Sequence, residues 1–430
     1  MRDQTQRVRG TAFAGSVLLA RRTILGVPAL GALPALLVLL SGCEVPQTTD
    51  DDPFTLQDSA GVELAISTAP AASGGEGWTV APDPLLVLGP EDPIPLHGVS
   101  GVARLSDRRV AVLMDAPVAE LHFFAVDGTH EGFVGGQGEG PGEFRSAGWL
   151  GVLPGDTLAV WDYMGRRLSR FGPGGELVDG ATVPLALEYW PYEVTDAGGV
   201  LFRVPRENIP PPGGTGTYWD STWVVRYTPA EESYDTITRI PNGLRPRAGE
   251  SASQQHFAPT LRMAPAPGGG VRVGWGEEFR IHELAPDGTL RRVIQRTHEP
   301  VQVTDEVLSE YERSYRTAME NAPNLGSHGL GLEDLVERHR ATPHRNELPA
   351  FGALRTDPDG RLWAEHFAPT YGRQFRDGAE WSVFDADGRW RTTVRTPAGL
   401  DVRQIGSDFM LGLHTDELGL ESVRVHALER

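Results

Sequence analysis

The sequence predicts an all-β fold, a six-bladed β-propeller, from three observations: a turn pentad that recurs along the chain, four strand candidates in each repeat, and an isolated apolar segment near the N-terminus that matches what the last repeat lacks. The pentads are Phe124-Ala-Val-Asp-Gly128, Phe171-Gly-Pro-Gly-Gly175, Tyr227-Thr-Pro-Ala-Glu231, Leu284-Ala-Pro-Asp-Gly288 and Phe384-Asp-Ala-Asp-Gly388, with a degenerate member at His426-Ala-Leu-Glu-Arg430. Their starts lie 47, 56, 57, 100 and 42 residues apart. A period of about 40–50 residues with several short strands per unit is the signature of propeller blades.

Within each unit the pattern repeats. In the first, Gly101-Val-Ala-Arg-Leu105, Arg109-Val-Ala-Val-Leu113, Glu120-Leu-His-Phe-Phe124 and Glu131-Gly-Phe-Val134 are separated by Ser106-Asp107, a loop and Asp127-Gly128. The second repeats it with Trp149 to Leu153, Thr157 to Trp161, Arg167 to Phe171 and Glu176 to Val178. β-branched and aromatic runs between Asp-Gly or Gly-Gly turns are hairpin signals, and four antiparallel strands make a blade. Asp-x-Asp-Gly at Asp357 and Asp385 lacks the further ligands of a calcium loop, so it reads as turn chemistry.

The last unit stops at its third strand, while Leu85-Leu-Val-Leu-Gly89 has no unit of its own. This N-terminal strand is therefore expected to close the last blade, which also hides a sheet edge. The 100-residue interval holds a helical insertion over 304–349, assigned to the fifth blade. Val307, Leu308, Tyr311, Tyr315, Ala318 and Met319 follow helical spacing behind Asp305 and Glu306, and Leu332, Leu335, Val336 and His339 form a shorter pattern before Pro343. The stripes are expected to pack on the propeller rather than stay free. A loop excursion is expected around Asn208-Ile-Pro-Pro-Pro-Gly-Gly214 in the third blade.

Ahead of the repeats, Arg21-Arg22 precedes an uncharged apolar run from Ile24 to Leu40, closed by Leu40-Ser41-Gly42-Cys43. A basic segment, an apolar core and small residues make a secretory signal. Pro28 and Pro34 argue against a retained spanning helix. The Leu-Ser-Gly-Cys stretch resembles the lipobox of bacterial lipoproteins, and Arg21-Arg22-Thr-Ile-Leu25 resembles a twin-arginine export signal. The lipobox resemblance implies that residues 1–42 are a signal peptide and that Cys43 becomes an N-terminus carrying a diacylglyceryl thioether and an amide-linked acyl chain such as palmitate. Two such chains anchor stably where one does not. Residues 43–77 are expected to be a lipidated flexible tether with a possible early strand at Val62–Ser67, and 78–430 the propeller. Glu44 after the cysteine, rather than Asp, resembles the outer-membrane sorting signal of some bacterial lipoproteins, a resemblance that implies the outer membrane over the inner within the envelope.

The chain has one cysteine, so no internal disulfide is available. It has no lysine, and its formal charge of −19 becomes −23 once residues 1–42, with five arginines and one aspartate, are removed. Such an acidic surface repels phosphate backbones and argues against nucleic acid as a partner.

Gly135-Gly-Gln-Gly-Glu-Gly-Pro-Gly-Glu-Phe144 resembles the blade-joining motif of six-bladed NHL-repeat propellers, in particular the bacterial lipoproteins of that group. The likeness extends over Val80 to Arg430, including the insertion and Gln404-Ile-Gly-Ser-Asp-Phe409. It implies a six-bladed ring in the cell envelope and brings no reaction with it. Read on its own residues, the glycine-rich stretch lacks the lysine and following helix of a phosphate loop, and serves as a crossover in which Glu139 or Glu143 bonds neighbouring backbone.

No Gly-x-Ser-x-Gly or His-Glu-x-x-His occurs, the twelve histidines are dispersed, and no catalytic or metal-ligating residue is assigned. His366 and His414 lie on strands of neighbouring repeats with Glu365 near. The candidate ligand-binding set is Arg104, Arg262 and Arg355, in similar places on the expected innermost strands. Converging on the channel they would form a guanidinium funnel for an anion, unless they alternate outward or pair with acids such as Glu193. The function expected is a membrane-anchored binding or scaffolding module for an envelope protein or glycan, with no cofactor beyond the covalent lipid. The alternative is a lactonase- or lyase-type propeller enzyme that uses a divalent cation.

Overall fold

The computed structural model describes residues 52–71, 77–89, 92–183, 190–205, 217–246, 255–320, 331–372, 376–416 and 419–430. The expected signal peptide, Cys43 and the Asn208–Gly214 excursion lie outside the described residues.

Three strands precede the ring: β1 (Phe54–Ser59), β2 (Val62–Ser67) and β3 (Thr79–Leu88). Six sheets then follow in chain order. The first holds β4 (Val99–Arg104), β5 (Val110–Met114), β6 (Glu120–Phe124) and β7 (His130–Gly135); the second β8 (Ala147–Leu153), β9 (Thr157–Asp162), β10 (Arg167–Phe171) and β11 (Leu177–Thr182). The third holds β12 (Trp190–Val194), β13 (Val200–Pro205), β14 (Thr217–Thr228) and β15 (Ser233–Pro246); the fourth β16 (Arg262–Ala266), β17 (Gly270–Gly274), β18 (Arg280–Leu284) and β19 (Leu290–Arg296). Helices α1 (Asp305–Glu320) and α2 (Leu332–Ala341) come between β19 and the fifth sheet, which is β20 (Leu354–Thr356), β21 (Leu362–Glu365), β22 (Glu380–Phe384) and β23 (Trp390–Arg395). The sixth comprises β24 (Leu400–Ile405), β25 (Phe409–Thr415), β26 (Glu421–Glu429) and, as its fourth strand, β3.

This is a six-bladed β-propeller. β3 pairs antiparallel with β26, from Val423↔Leu88 to Glu429↔Thr79, so the strand segment before the ring closes the last blade. The seam between this last blade and the first is tied at the channel by Gln404. Its Oε1 accepts the Arg104 backbone N–H at 2.7 Å and its Nε2 donates to the Arg104 carbonyl at 3.2 Å, a side chain standing in for a strand partner.

The pentads mark one local geometry. In four blades the first pentad residue pairs with the residue six positions on, beside a register shift: Phe124↔His130, Phe171↔Leu177, Leu284↔Leu290 and Phe384↔Trp390. The turn between needs a left-handed residue, and glycine supplies it. A Cβ on Gly288 (φ +82°) would also lie 2.2 Å from the Ile237 carbonyl oxygen, so that turn is pressed onto the neighbouring blade. Asp357 and Asp385 act as turn formers, each accepting two backbone N–H groups, from Asp359 and Arg361 and from Asp387 and Arg389.

The core is distributed over the seams. Each pair of adjacent blades encloses its own buried cluster, such as Phe144, Leu150 and Phe171 between the first two and Trp363, Trp381 and Met410 between the last two. Alternating residues of each strand therefore serve opposite neighbours.

The tether expectation is corrected at residues 54–58. Phe54–Ser59 forms strand β1, paired with β2 across a two-residue turn in which Ala60 and Gly61 both have positive φ. β2 then adds in parallel to β19, extending the fourth sheet to six strands. Side chains fix the hairpin: Arg292 pairs with Glu63, and Arg389 makes a two-pronged pair with Asp52 at 2.9 and 3.0 Å while lying over the Phe54 ring. The polar composition of 44–58 hid the strand, because its hydrogen-bond partners lie on β2 and its pairing edge far along the chain.

The helices carry the expected stripes. Arg340 pairs with Glu312 and Arg316 with Glu333 between them. Tyr311 packs on Phe257 with ring centroids 4.8 Å apart, and Ser314 Oγ accepts the Tyr371 N–H at 2.8 Å. His339 stacks on Tyr315 at 4.0 Å, and burial pushes its pKa down to about 4. No helix among the described residues is long and apolar enough to cross a membrane.

Candidate functional site

The innermost strands β4, β8, β12, β16, β20 and β24 succeed one another around the axis. Where they end and turn back, five blades enclose a cavity of about 630 Å³. Its wall is partly aliphatic, from Val152, Val194, Pro265 and Ile405, and partly acidic, from Asp156, Glu193, Asp196, Asp357 and Asp359.

Most of that acidity is structural. Asp156 of the second blade accepts the Ser106 N–H and hydroxyl of the first. Asp196 of the third accepts the Gly268 and Gly269 N–H groups of the fourth at 2.7 and 2.9 Å. Asp357 and Asp359 of the fifth receive Arg430 of the sixth at 2.9 and 2.6 Å, and Asp357 also takes the Trp363 indole N–H. Between the fourth and fifth blades, buried Arg272 donates to the Gly360 carbonyl at 3.0 Å, and Thr356 Oγ1 donates to the Pro265 carbonyl. The rim is thus a series of blade-to-blade clamps. Apart from one carboxylate, Glu193, a divalent cation here would have to draw on carboxylates already committed to N–H and guanidinium donors, so the donor set does not fit one. Among the described residues no three His, Cys, Asp or Glu side chains are arranged to hold a metal.

Glu193 differs. It sits on β12, one residue from the strand end, and accepts no hydrogen bond from any described residue; its one ionic neighbour is Arg355 Nη1 of β20, at 3.7 Å. Protein surrounds the carboxylate, and this burial raises its pKa against the opposing pull of Arg355. Yet its side chain keeps 33% of its surface accessible and lines the cavity, while that of Arg355 beside it keeps 18%. Arg355 Nη1 donates to the Leu354 carbonyl at 3.2 Å, and its Nε is buried without a partner.

The three candidate arginines occupy three different heights. Arg104 pairs with Val110, the first residue of the next strand; Arg355 pairs with Trp363, the second residue of its partner strand; Arg262 pairs with Gly274, the last. Arg262 therefore opens β16 about 13 Å from that strand's cavity end. Arg104 lies over the Phe409 ring at 4.4 Å, in the seam with the sixth blade. Of the three, Arg355 is brought beside a cavity acid, Glu193. The repeat aligned the units to within a residue or two, whereas a one-residue slip in a strand reverses the direction of a side chain.

His366 and His414 occupy separate surroundings. His366 bonds Ser382 Oγ and Arg296 and neighbours Glu380, and burial pushes its pKa down to about 4, with Arg296 adding to the effect. His414 lines a cleft of about 400 Å³ on the sixth blade with Ser422 and Arg424. The glycine-rich stretch is a crossover from β7 to β8: Glu143 accepts the Gly140 N–H at 2.8 Å, and Phe144 is fully buried. Sequence reading named Glu193 only as a possible partner for an arginine. The available signal was a lone carboxylate on an inner strand otherwise flanked by Tyr192 and Val194.

No protein-family model matches the chain, and no curated protein matches it. Among solved structures it is similar to a member of the DUF4221 family from Bacteroides vulgatus (8% identity, TM-score 0.46, 83% of this chain and 100% of that one). It is also similar to a Bacteroides fragilis protein described as a candidate exported protein (11%, 0.45, 85% and 100%) and to virginiamycin B lyase from Staphylococcus aureus (11%, 0.37, 80% and 98%).

Proposed function

We propose that this chain is an exported bacterial lipoprotein, held at the envelope by lipid on Cys43, whose propeller is a binding module that seats a ligand in the axial cavity. The observation that carries the binding reading is the contrast within that cavity. Its rim carboxylates are spent on clamping blades together, while Glu193 stays accessible, accepts no hydrogen bond from the described residues and has Arg355 beside it only at 3.7 Å. A concave, partly apolar site with a few convergent polar groups is the usual form of a ligand seat. The anchor rests on the signal-like segment ending at Cys43, and an envelope protein or glycan remains the class of partner proposed for the outer surface. The reading calls for no cofactor beyond the lipid.

Ligand-observed NMR with a fragment library tests the cavity. Val152 lines it and is only half-buried, so Val152→Trp should project an indole into it and weaken the signals of cavity binders, with circular dichroism confirming the fold. Fragments that bind wild type and Val152→Trp equally, or a library with no binders, would contradict the proposal.

A further inference from the structure

We infer that the axial cavity takes an organic amine, whose ammonium group donates hydrogen bonds to Glu193. This rests on the reading of the cavity as a ligand seat and names the class of ligand.

The first argument is unfilled acceptor capacity. An ionised carboxylate offers about four lone-pair sites, and Glu193 receives no donor from the described residues. Arg355 at 3.7 Å is beyond hydrogen-bond distance, and the nitrogen concerned already donates to Leu354. Arg355 thus supplies charge without supplying a hydrogen bond. With a third of the side chain accessible from the cavity, these acceptor sites are open to a donor brought by a ligand, and a charge-assisted bond there is stronger than a neutral one.

The second argument is the sign of the field. Asp357 and Asp359 are balanced by Arg361 and Arg430, and Glu193 is offset by Arg355. Asp156 and Asp196 are held by neutral donors, a serine and two backbone N–H groups, and among the described residues neither forms an ion pair. The cavity therefore carries a net negative field inside walls of low polarisability, which draws a cation and repels an anion. The aliphatic wall of Val152, Val194, Pro265 and Ile405 suits an apolar body behind the charged head.

The third argument is selectivity by head group. An ammonium brings up to three donors and a positive charge, an alcohol one donor and no charge, and a carboxylate none. A site built around an unpaired acceptor rejects analogues that cannot donate to it.

Isothermal titration of the full chain in detergent with 2-phenylethylamine, 2-phenylethanol and phenylacetate varies the head group on one carbon frame. The amine should bind saturably, the alcohol at least tenfold more weakly, and the carboxylate not measurably. Glu193→Gln should weaken the amine at least tenfold, whereas Arg355→Met, which removes a competing cation, should bind it at least as tightly as wild type. Failure of wild type to bind the amine, or an amine affinity unmoved by Glu193→Gln, would overturn the inference. If the alcohol or carboxylate bound as well as the amine and lost binding in Val152→Trp, the amine assignment would fall while the cavity reading stood. Amine binding as tight in Val152→Trp as in wild type would overturn both.

Discussion

Arg272 offers the sharpest test of how the ring is held together. It lies on β17 with 1% of its surface exposed. Its Nε donates to Glu283 Oε2 at 2.8 Å, and its Nη1 reaches across the seam to the Gly360 carbonyl at 3.0 Å. Burial lowers the guanidinium's pKa, with Glu283 opposing that shift. Arg272→Met keeps most of the volume but strands the Glu283 carboxylate inside the sheet, a loss of about 3–5 kcal/mol for breaking one side of a buried pair. Pairing it with Glu283→Leu removes the stranded charge. Because a well-packed apolar pair is often as stable as a buried ion pair, the double variant should recover most of the loss. The Gly360 carbonyl still lacks its donor, which leaves a deficit of about 1–2 kcal/mol. Guanidinium chloride unfolding followed by tryptophan fluorescence measures all three proteins. A single variant within about 1 kcal/mol of wild type would refute the reasoning, as would a double variant no more stable than Arg272→Met.

Further expectations follow from the same structure. Leu88, on the closing strand and 1% exposed, should cost about 2–5 kcal/mol when changed to alanine, whereas Leu85→Ala on the same strand, 64% exposed, should stay within about 0.5 kcal/mol; equal effects in chemical unfolding would contradict the closure. His339 and His366 both have pKa values pushed down by burial to about 4, below the 6.5 of an unfolded histidine, so the unfolded chain binds more protons between these values. Stability should therefore fall as pH drops from about 6.5 towards 4, and His366→Gln should flatten the slope of thermal melts over that range; an unchanged slope would remove that histidine from the account. Cys43→Ser should move the protein from the membrane fraction to the soluble one without shifting its unfolding midpoint, and continued membrane association would contradict the lipid anchor.

The blades were legible because their turns are local. Asp-Gly and Gly-Gly at fixed offsets from an aromatic residue specify a hairpin without any long-range information, and β3 was recognisable as the strand missing from the last repeat. The helices were equally readable from the spacing of Tyr311, Tyr315, Leu332 and Val336. What escaped depends on distant partners. Strand β1 is polar, and although its partner β2 was foreseen at Val62–Ser67, the place of the hairpin depends on parallel pairing with β19, more than 200 residues later in the chain. The arginine heights were set by registers that a repeat cannot resolve to one residue. Glu193 is distinguished from Asp156, Asp196 and Asp357 by its lack of donors, a property of the assembled ring that no local motif records.

The central claim is that Glu193 is kept for recognition and not for the fold, and the unfolding free energy of Glu193→Gln against wild type from pH 8 down to pH 5 tests it most directly. A carboxylate whose folded pKa is raised lowers stability while it is ionised, and that penalty fades as pH falls through the raised value. Glu193→Gln should therefore be at least as stable as wild type at pH 8, with the difference shrinking towards pH 5. A variant less stable than wild type by about 2 kcal/mol or more at pH 8 would show Glu193 to be part of the framework, a loss typical of a broken structural pair, and would contradict the account.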